Sequence, residues 1–195
     1  MRSPHIIHRA VLTTFAAWGV TAFILGATGA FAALRPPFPQ LILFGLVAVL
    51  LAAFRWLDGF RVWISTVPLS WLISVHLVRF VGADFLRLYR GGQLPFAFAV
   101  PGGYGDIAVA SLALLLLAWR PASRSVILAW NDFGLADILF VIATAARLGY
   151  ANPASMSVLL RLPLSLLPTF IVPLIIFTHF VIFLRLRNRP NPPAA

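Results

Sequence analysis

Apolar residues fall in six long runs along this chain, separated by short stretches of Arg, Pro and Gly. The runs cover residues 10–34, 40–54, 62–82, 106–119, 125–147 and 163–184, and the third stays compatible with a helix as far as Tyr89. A helix crossing a bilayer needs about 20 largely apolar residues, and the second run sits near the lower limit. The pattern predicts an all-α fold, a six-helix transmembrane bundle. One transmembrane domain would span 10–187, between a short N-terminal segment (1–9) and a Pro-rich, disordered tail (188–195).

The breaks between runs carry their own predictions. Arg35-Pro36-Pro37-Phe38-Pro39 stops the first helix, because proline cannot continue it. Residues 95–106, PFAFAVPGGYGD, are apolar but rich in Pro and Gly. They read as an irregular loop dipping onto the bundle between the third and fourth helices, tolerated at membrane depth if protein or a wet cavity surrounds it. Asp106 then reads as the N-cap of the fourth helix, near the outer surface. Residues 155–162 suggest an interfacial helix. Pro168 and Pro173 should loosen or kink the sixth span.

The first run has 25 residues, whereas the apolar part of a secretory signal has about 7–15. It reads as a retained helix, with cleavage left open at its Ala-rich end. Gly19, Ala22 and Gly26 recur at helical spacing and offer a face for close helix packing.

Composition agrees with a membrane class. The chain is 61% hydrophobic and 10% charged, against about 45–50% and 25% in soluble domains. All fifteen basic residues are Arg and all five acids are Asp. Without Lys there is no Schiff base, and without Cys there is no disulfide, thiolate metal site or cysteine nucleophile. The net charge of +10 would suit nucleic acid, but most arginines sit at run ends as headgroup anchors, so no nucleic-acid partner is expected. With the N-terminus inside, Arg2, Arg9, Arg55, Arg61, Arg120, Arg124, Arg185, Arg187 and Arg189 are cytoplasmic, nine against six. Both termini are therefore placed in the cytoplasm.

The fifth run carries Asn131, Asp132 and Asp137. An aspartate near the centre of a membrane helix costs roughly 2.5–3.5 kcal/mol on insertion scales, so it persists where something buried pairs with it or uses it. On the third helix His76 and Arg79 share a face that becomes basic towards Arg87 and Arg90. Counting residues from the run ends gives a ladder across the membrane. Asp106 lies at the outer surface, His76, Arg79 and Asp137 in the middle, and Asn131, Asp132 and His179 on the inner side. Asn131, Gly134 and Asp137 face one groove, while Asp132 points about 140° from Asp137.

Three segments, LPFAFAVPGGYGD (94–106), WNDFGLAD (130–137) and LPTFIVPLIIFTH (167–179), resemble the pattern of a family of small, uncharacterised bacterial polytopic membrane proteins. The resemblance runs from about Val78 to Leu184 and marks Asp106, Asn131, Asp137 and His179. Gly102 stands where the pattern more often has Ala. It implies a shared membrane fold and a bacterial inner membrane, with no activity attached.

Three functions compete at this level. A solute or proton site would use Asp137, His179, Asn131, Arg79, His76 and Asp106, without a cofactor. A b-type haem protein would use His76 and His179 as axial ligands, although the ladder separates them by about 10 Å. A structural subunit of a homo-oligomer or a larger membrane complex would use the polar groups as helix glue. Whether the protein is an enzyme stays open: no nucleophile stands beside a base, since Ser74 and His76 diverge on a helix. His5 and His8 alone do not make a metal site.

Overall fold

The computed structural model describes residues 4–119 and 123–187. Expectations for residues 1–3, for the turn at 120–122 and for the tail at 188–195 lie outside the described residues. Among the described residues there are eight α-helices and no strands. They are α1 (Pro4–Ala27), α2 (Phe38–Trp56), α3 (Asp58–Thr66), α4 (Leu69–Ser74), α5 (Gly82–Arg90), α6 (Phe96–Ala118), α7 (Arg124–Ala151) and α8 (Val172–Arg187). Two 3₁₀ segments, Val75–Val81 and Pro153–Leu160, and one π segment, Leu167–Ile171, complete the chain.

Six stretches are long and apolar enough to cross a membrane: Ile6–Ala27, Phe38–Trp56, Leu69–Arg90, Phe96–Ala118, Arg124–Ala151 and Leu167–Arg187. This is a multi-pass membrane protein. Its outer surface fits that medium: Phe23, Ile24, Phe44, Leu114, Leu115 and Phe140 are all exposed. Facing water they would form an adhesive patch, whereas against acyl chains they are in a matching solvent. Inside, α6 packs between α5 and α7, and α8 packs against both α7 and α2.

Two elements differ from the sequence expectation, and both matter for the site. The Gly/Pro-rich stretch is not a loop dipping onto the bundle: it is the first half of α6, with Pro101 inside the helix. Pro101 removes one helical hydrogen bond, which a span held on both sides tolerates. Its glycines serve helix packing. A Cβ on Gly82 would overlap the Gly103 carbonyl oxygen, a Cβ on Gly103 would come 2.8 Å from the Gly82 carbonyl oxygen, and a Cβ on Gly105 would overlap Asp137 Oδ1. The second difference is the third run. It splits at Val67-Pro68, so α3 is a separate short helix and the span itself begins at Leu69.

The small-residue face of the first run is found as expected, on a helix that ends at Ala27 rather than near Leu34. Ala22 is buried, Gly19 packs on the Phe170 ring and Gly26 on Ser165 and Leu162, so the small-residue face of α1 is a packing face. Pro173 cannot donate to the carbonyl of Thr169 four residues back. The indole Nε1 of Trp18 donates to that carbonyl at 2.9 Å, tying α1 to the irregular start of the sixth span.

Candidate functional site

The central 3₁₀ segment of the third span aligns His76 and Arg79. At three residues per turn, positions i and i+3 eclipse, so His76, Arg79 and then Gly82 fall on one line facing the core. All three are buried. Arg79 sits where α6 and α7 converge. Its Nε donates to Asp106 Oδ1 at 2.6 Å, its Nη1 donates to the Gly134 carbonyl at 2.8 Å, and its Nη2 donates to Asp137 Oδ2. The Arg79 side chain is 1% exposed, against 5% for Asp106 and 10% for Asp137. One guanidinium therefore serves two carboxylates. With both ionised the triad carries one net negative charge, and it is neutral with one proton or one small monovalent cation bound.

A second layer lies one to two turns away. His179 Nδ1 donates to Asn131 Oδ1 at 2.9 Å, and Asn131 Nδ2 donates to the His179 carbonyl at 3.3 Å. A carbonyl can only accept, so this second bond fixes which way the Asn131 amide points. His76 Nε2 lies 3.2 Å from Thr178 Oγ1, and that hydroxyl gives its own hydrogen to the Ile175 carbonyl at 2.9 Å. The hydroxyl is thus an acceptor for His76 Nε2–H. Each imidazole is left with one nitrogen lone pair, Nδ1 of His76 and Nε2 of His179, buried and without a hydrogen-bond partner. Their ring centroids are 4.2 Å apart, with Trp130 set edge-on to His76 at 5.0 Å. Gly134 joins the layers. Its carbonyl accepts from Arg79, and its Cα faces His179 so closely that a Cβ would come 2.8 Å from Cε1.

The six expected site residues are thus gathered in two adjoining layers, and the trans-membrane ladder is corrected. Asp106 is not an outer N-cap: it lies ten residues inside α6, counted from Phe96, because residues 96–105 are helical. His76 is seven residues from the true start of its span at Leu69, Asn131 is seven from Arg124, and His179 is eight from Arg187. These three share a level. Asp132 is exposed on another face, as its helical angle required. Thr178 escaped the sequence reading, although its place beside His179 was the available signal. His8, considered with His5 for metal, accepts a hydrogen bond from Trp63 Nε1 at 2.9 Å.

The histidine contact also bears on haem. Axial imidazoles on one iron stand on opposite faces of a porphyrin, and the macrocycle holds them apart. Rings in direct contact do not admit a porphyrin between them. Among the described residues no group of three or more His, Cys, Asp or Glu is placed to hold a metal ion.

Arg79 and Asp106 also form part of the wall of a cavity of ≈ 120 Å³, measured as space open to the centre of a water molecule. One water needs about 10–15 Å³ by that measure, so there is room for several waters or for a slender chain. The remaining wall is mostly apolar and comes from Leu34, Pro36 and Leu43, from Val141, Ala145 and Gly149 of α7, and from Met156, Leu160 and Ile171. Gln40 is the third polar residue in the wall. Towards the other end of the bundle, Leu72, Ile73, Ile127, Phe177, Val181 and Ile182 pack into a continuous apolar cluster.

A model of a domain of unknown function, DUF8737, matches residues 36–187. The chain belongs to the DUF8737 family. No curated protein and no solved structure matches it. The DUF8737 match leaves out α1 and contains every residue of both polar layers and of the two irregular segments beside them.

Proposed function

We propose that this DUF8737 protein binds and passes on protons, or a small solute with them, at the two polar layers. The observation that carries the reading is the pair of unpartnered imidazole nitrogens, on His76 and His179, beside a guanidinium shared by two carboxylates. A buried lone pair without a partner forfeits a hydrogen bond, about 1–3 kcal/mol, so two of them on adjoining rings need a reason. Proton acceptance supplies one. The cavity reaches the carboxylate layer from one end, and the apolar cluster closes the imidazole layer from the other. That asymmetry suits a site loaded from one side and released by rearrangement of the third or sixth span, each of which carries a non-α segment. The arginine distribution favours cytoplasmic termini, and the resemblance in sequence pattern favours a bacterial inner membrane; on that reading the cavity opens towards the outer side.

The test is dissipation of an imposed pH gradient in proteoliposomes with an entrapped pH dye. The purified protein should accelerate dissipation, and Asp137→Asn should abolish the effect while remaining inserted and monodisperse. Flux surviving in the double variant Asp137→Asn, His179→Ala would end the proton reading.

A structural role is the second reading, favoured by the tight glycine contacts at Gly82, Gly103 and Gly105. On that reading the buried charges hold helices together and nothing passes. The protein then gives no flux at all, and partner subunits co-purify with it.

A further inference from the structure

We propose that the cavity beside Arg79 binds a single-chain amphiphile with a neutral, hydroxyl-bearing head, seated with its head on Arg79 and Asp106 and its tail along the apolar wall. The inference is independent of proton flux: it rests on the shape and lining of the cavity and is read by binding.

The wall first fixes the tail. Phe85, Val141, Met156 and Ile171 line the cavity, and among the described residues no charged group other than Arg79 and Asp106 does. Such a lining favours hydrocarbon over water. The cavity extends to the end of the bundle where the connections 28–37 and 152–166 sit, since Leu34, Pro36, Pro153 and Met156 are part of its wall. A tail can therefore enter from the interface or from the bilayer, and the volume suits one chain rather than two.

The polar groups fix the head. Arg79 uses three of its five N–H groups on Asp106, Gly134 and Asp137, leaving two donors. Gln40 contributes an Oε1 that is buried and without a hydrogen-bond partner. The Asp106 carboxylate is a further acceptor. At Arg79 and Asp106 the wall offers donors and an acceptor side by side, and Gln40 adds an acceptor elsewhere in it. A hydroxyl satisfies both kinds at once, accepting from Arg79 and donating to Asp106. A carboxylate or phosphate meets Asp106 with Asp137 behind it, and a trimethylammonium head, too bulky for the place of a small cation and without an N–H to give Asp106, meets the Arg79 guanidinium. Each would also lose its hydration in an apolar cavity.

The experiment is photo-crosslinking of the full-length protein in nanodiscs. Three probes of equal chain length carry the same diazirine in the tail: a long-chain alcohol, the matching fatty acid and the matching trimethylammonium amphiphile. Labelled peptides are located by mass spectrometry. The alcohol should label peptides containing Val141 and Met156 at least tenfold more than either ionic probe. Ala145→Trp, which fills the wall away from the polar groups, should remove that labelling. Equal labelling by all three probes, or alcohol labelling that persists in Ala145→Trp, would show only general lipid contact and overturn the proposal. Preferential labelling by the fatty acid or the ammonium probe would overturn it as well.

Discussion

Arg79 and Asp106, 27 residues apart in sequence, meet at 2.6 Å in the middle of the bundle, where almost none of either side chain is exposed. A buried pair adds little net stability over an apolar core, but breaking it from one side strands a charge, at about 3–5 kcal/mol. Arg79 strands two. Arg79→Met should therefore lose most of its monodisperse protein in mild detergent. The triple variant Arg79→Met, Asp106→Asn, Asp137→Asn should recover it, because no unpaired charge remains, and should still show no proton flux. Recovery of flux along with the fold would mean that the charges are structural and that protons do not use them.

The glycines of α5 and α6 predict a split between stability and activity. At Gly82 an added methyl meets the backbone of Gly103, so two helices must move apart. At Gly105 it meets the end of the Asp137 side chain, which can swing away. Overpacking against backbone costs about 1–3 kcal/mol. Gly82→Ala should lower the thermal midpoint by several degrees. Gly105→Ala should move the midpoint less and cut flux at least tenfold, because Asp137 leaves Arg79. Equal losses of stability in the two variants would contradict this geometry.

The six spans were legible because burial in lipid writes itself as length and apolarity, which a single sequence carries in full. The polar residues were legible for the same reason: Asn131, Asp137 and Arg79 are conspicuous inside apolar runs. Their meeting was not. It depends on where each span begins, and two local features hid that. Val67-Pro68 splits the third run, which displaced His76 in depth by seven residues, from Val62 to the true start at Leu69. The Gly and Pro of 95–106 signal a loop in water, whereas here neighbouring helices hold the same residues in α6 and use the glycines for close approach. The tautomers of His76 and His179 needed partners on other helices and had no trace in the sequence.

Trp18 and Pro173 make a coupled pair across the bundle. Proline removes the donor that the Thr169 carbonyl would have had in an α-helix, and the indole replaces it at 2.9 Å. Trp18→Phe keeps the ring and leaves the carbonyl bare, at about 1–3 kcal/mol. In a Pro173→Ala background the backbone N–H returns, and the same change should cost about 1 kcal/mol less. A thermal-unfolding double-mutant cycle measures the difference, and strict additivity would refute the replacement.

The His76–His179 contact makes the last prediction, on the visible spectrum. A bis-imidazole haem needs these rings on opposite faces of a porphyrin, and their centroids are 4.2 Å apart. Protein purified from haem-replete cells should show no Soret band, oxidised or dithionite-reduced, that depends on His179. A Soret band lost in His179→Ala would require the third and sixth spans to separate enough to seat the macrocycle. It would also reassign the bare nitrogens from proton acceptors to iron ligands. If the spectrum is featureless, the same His179→Ala variant should still lower proton flux. The contact would then be read by its effect on protons, with Asn131 left holding only the backbone of its former partner.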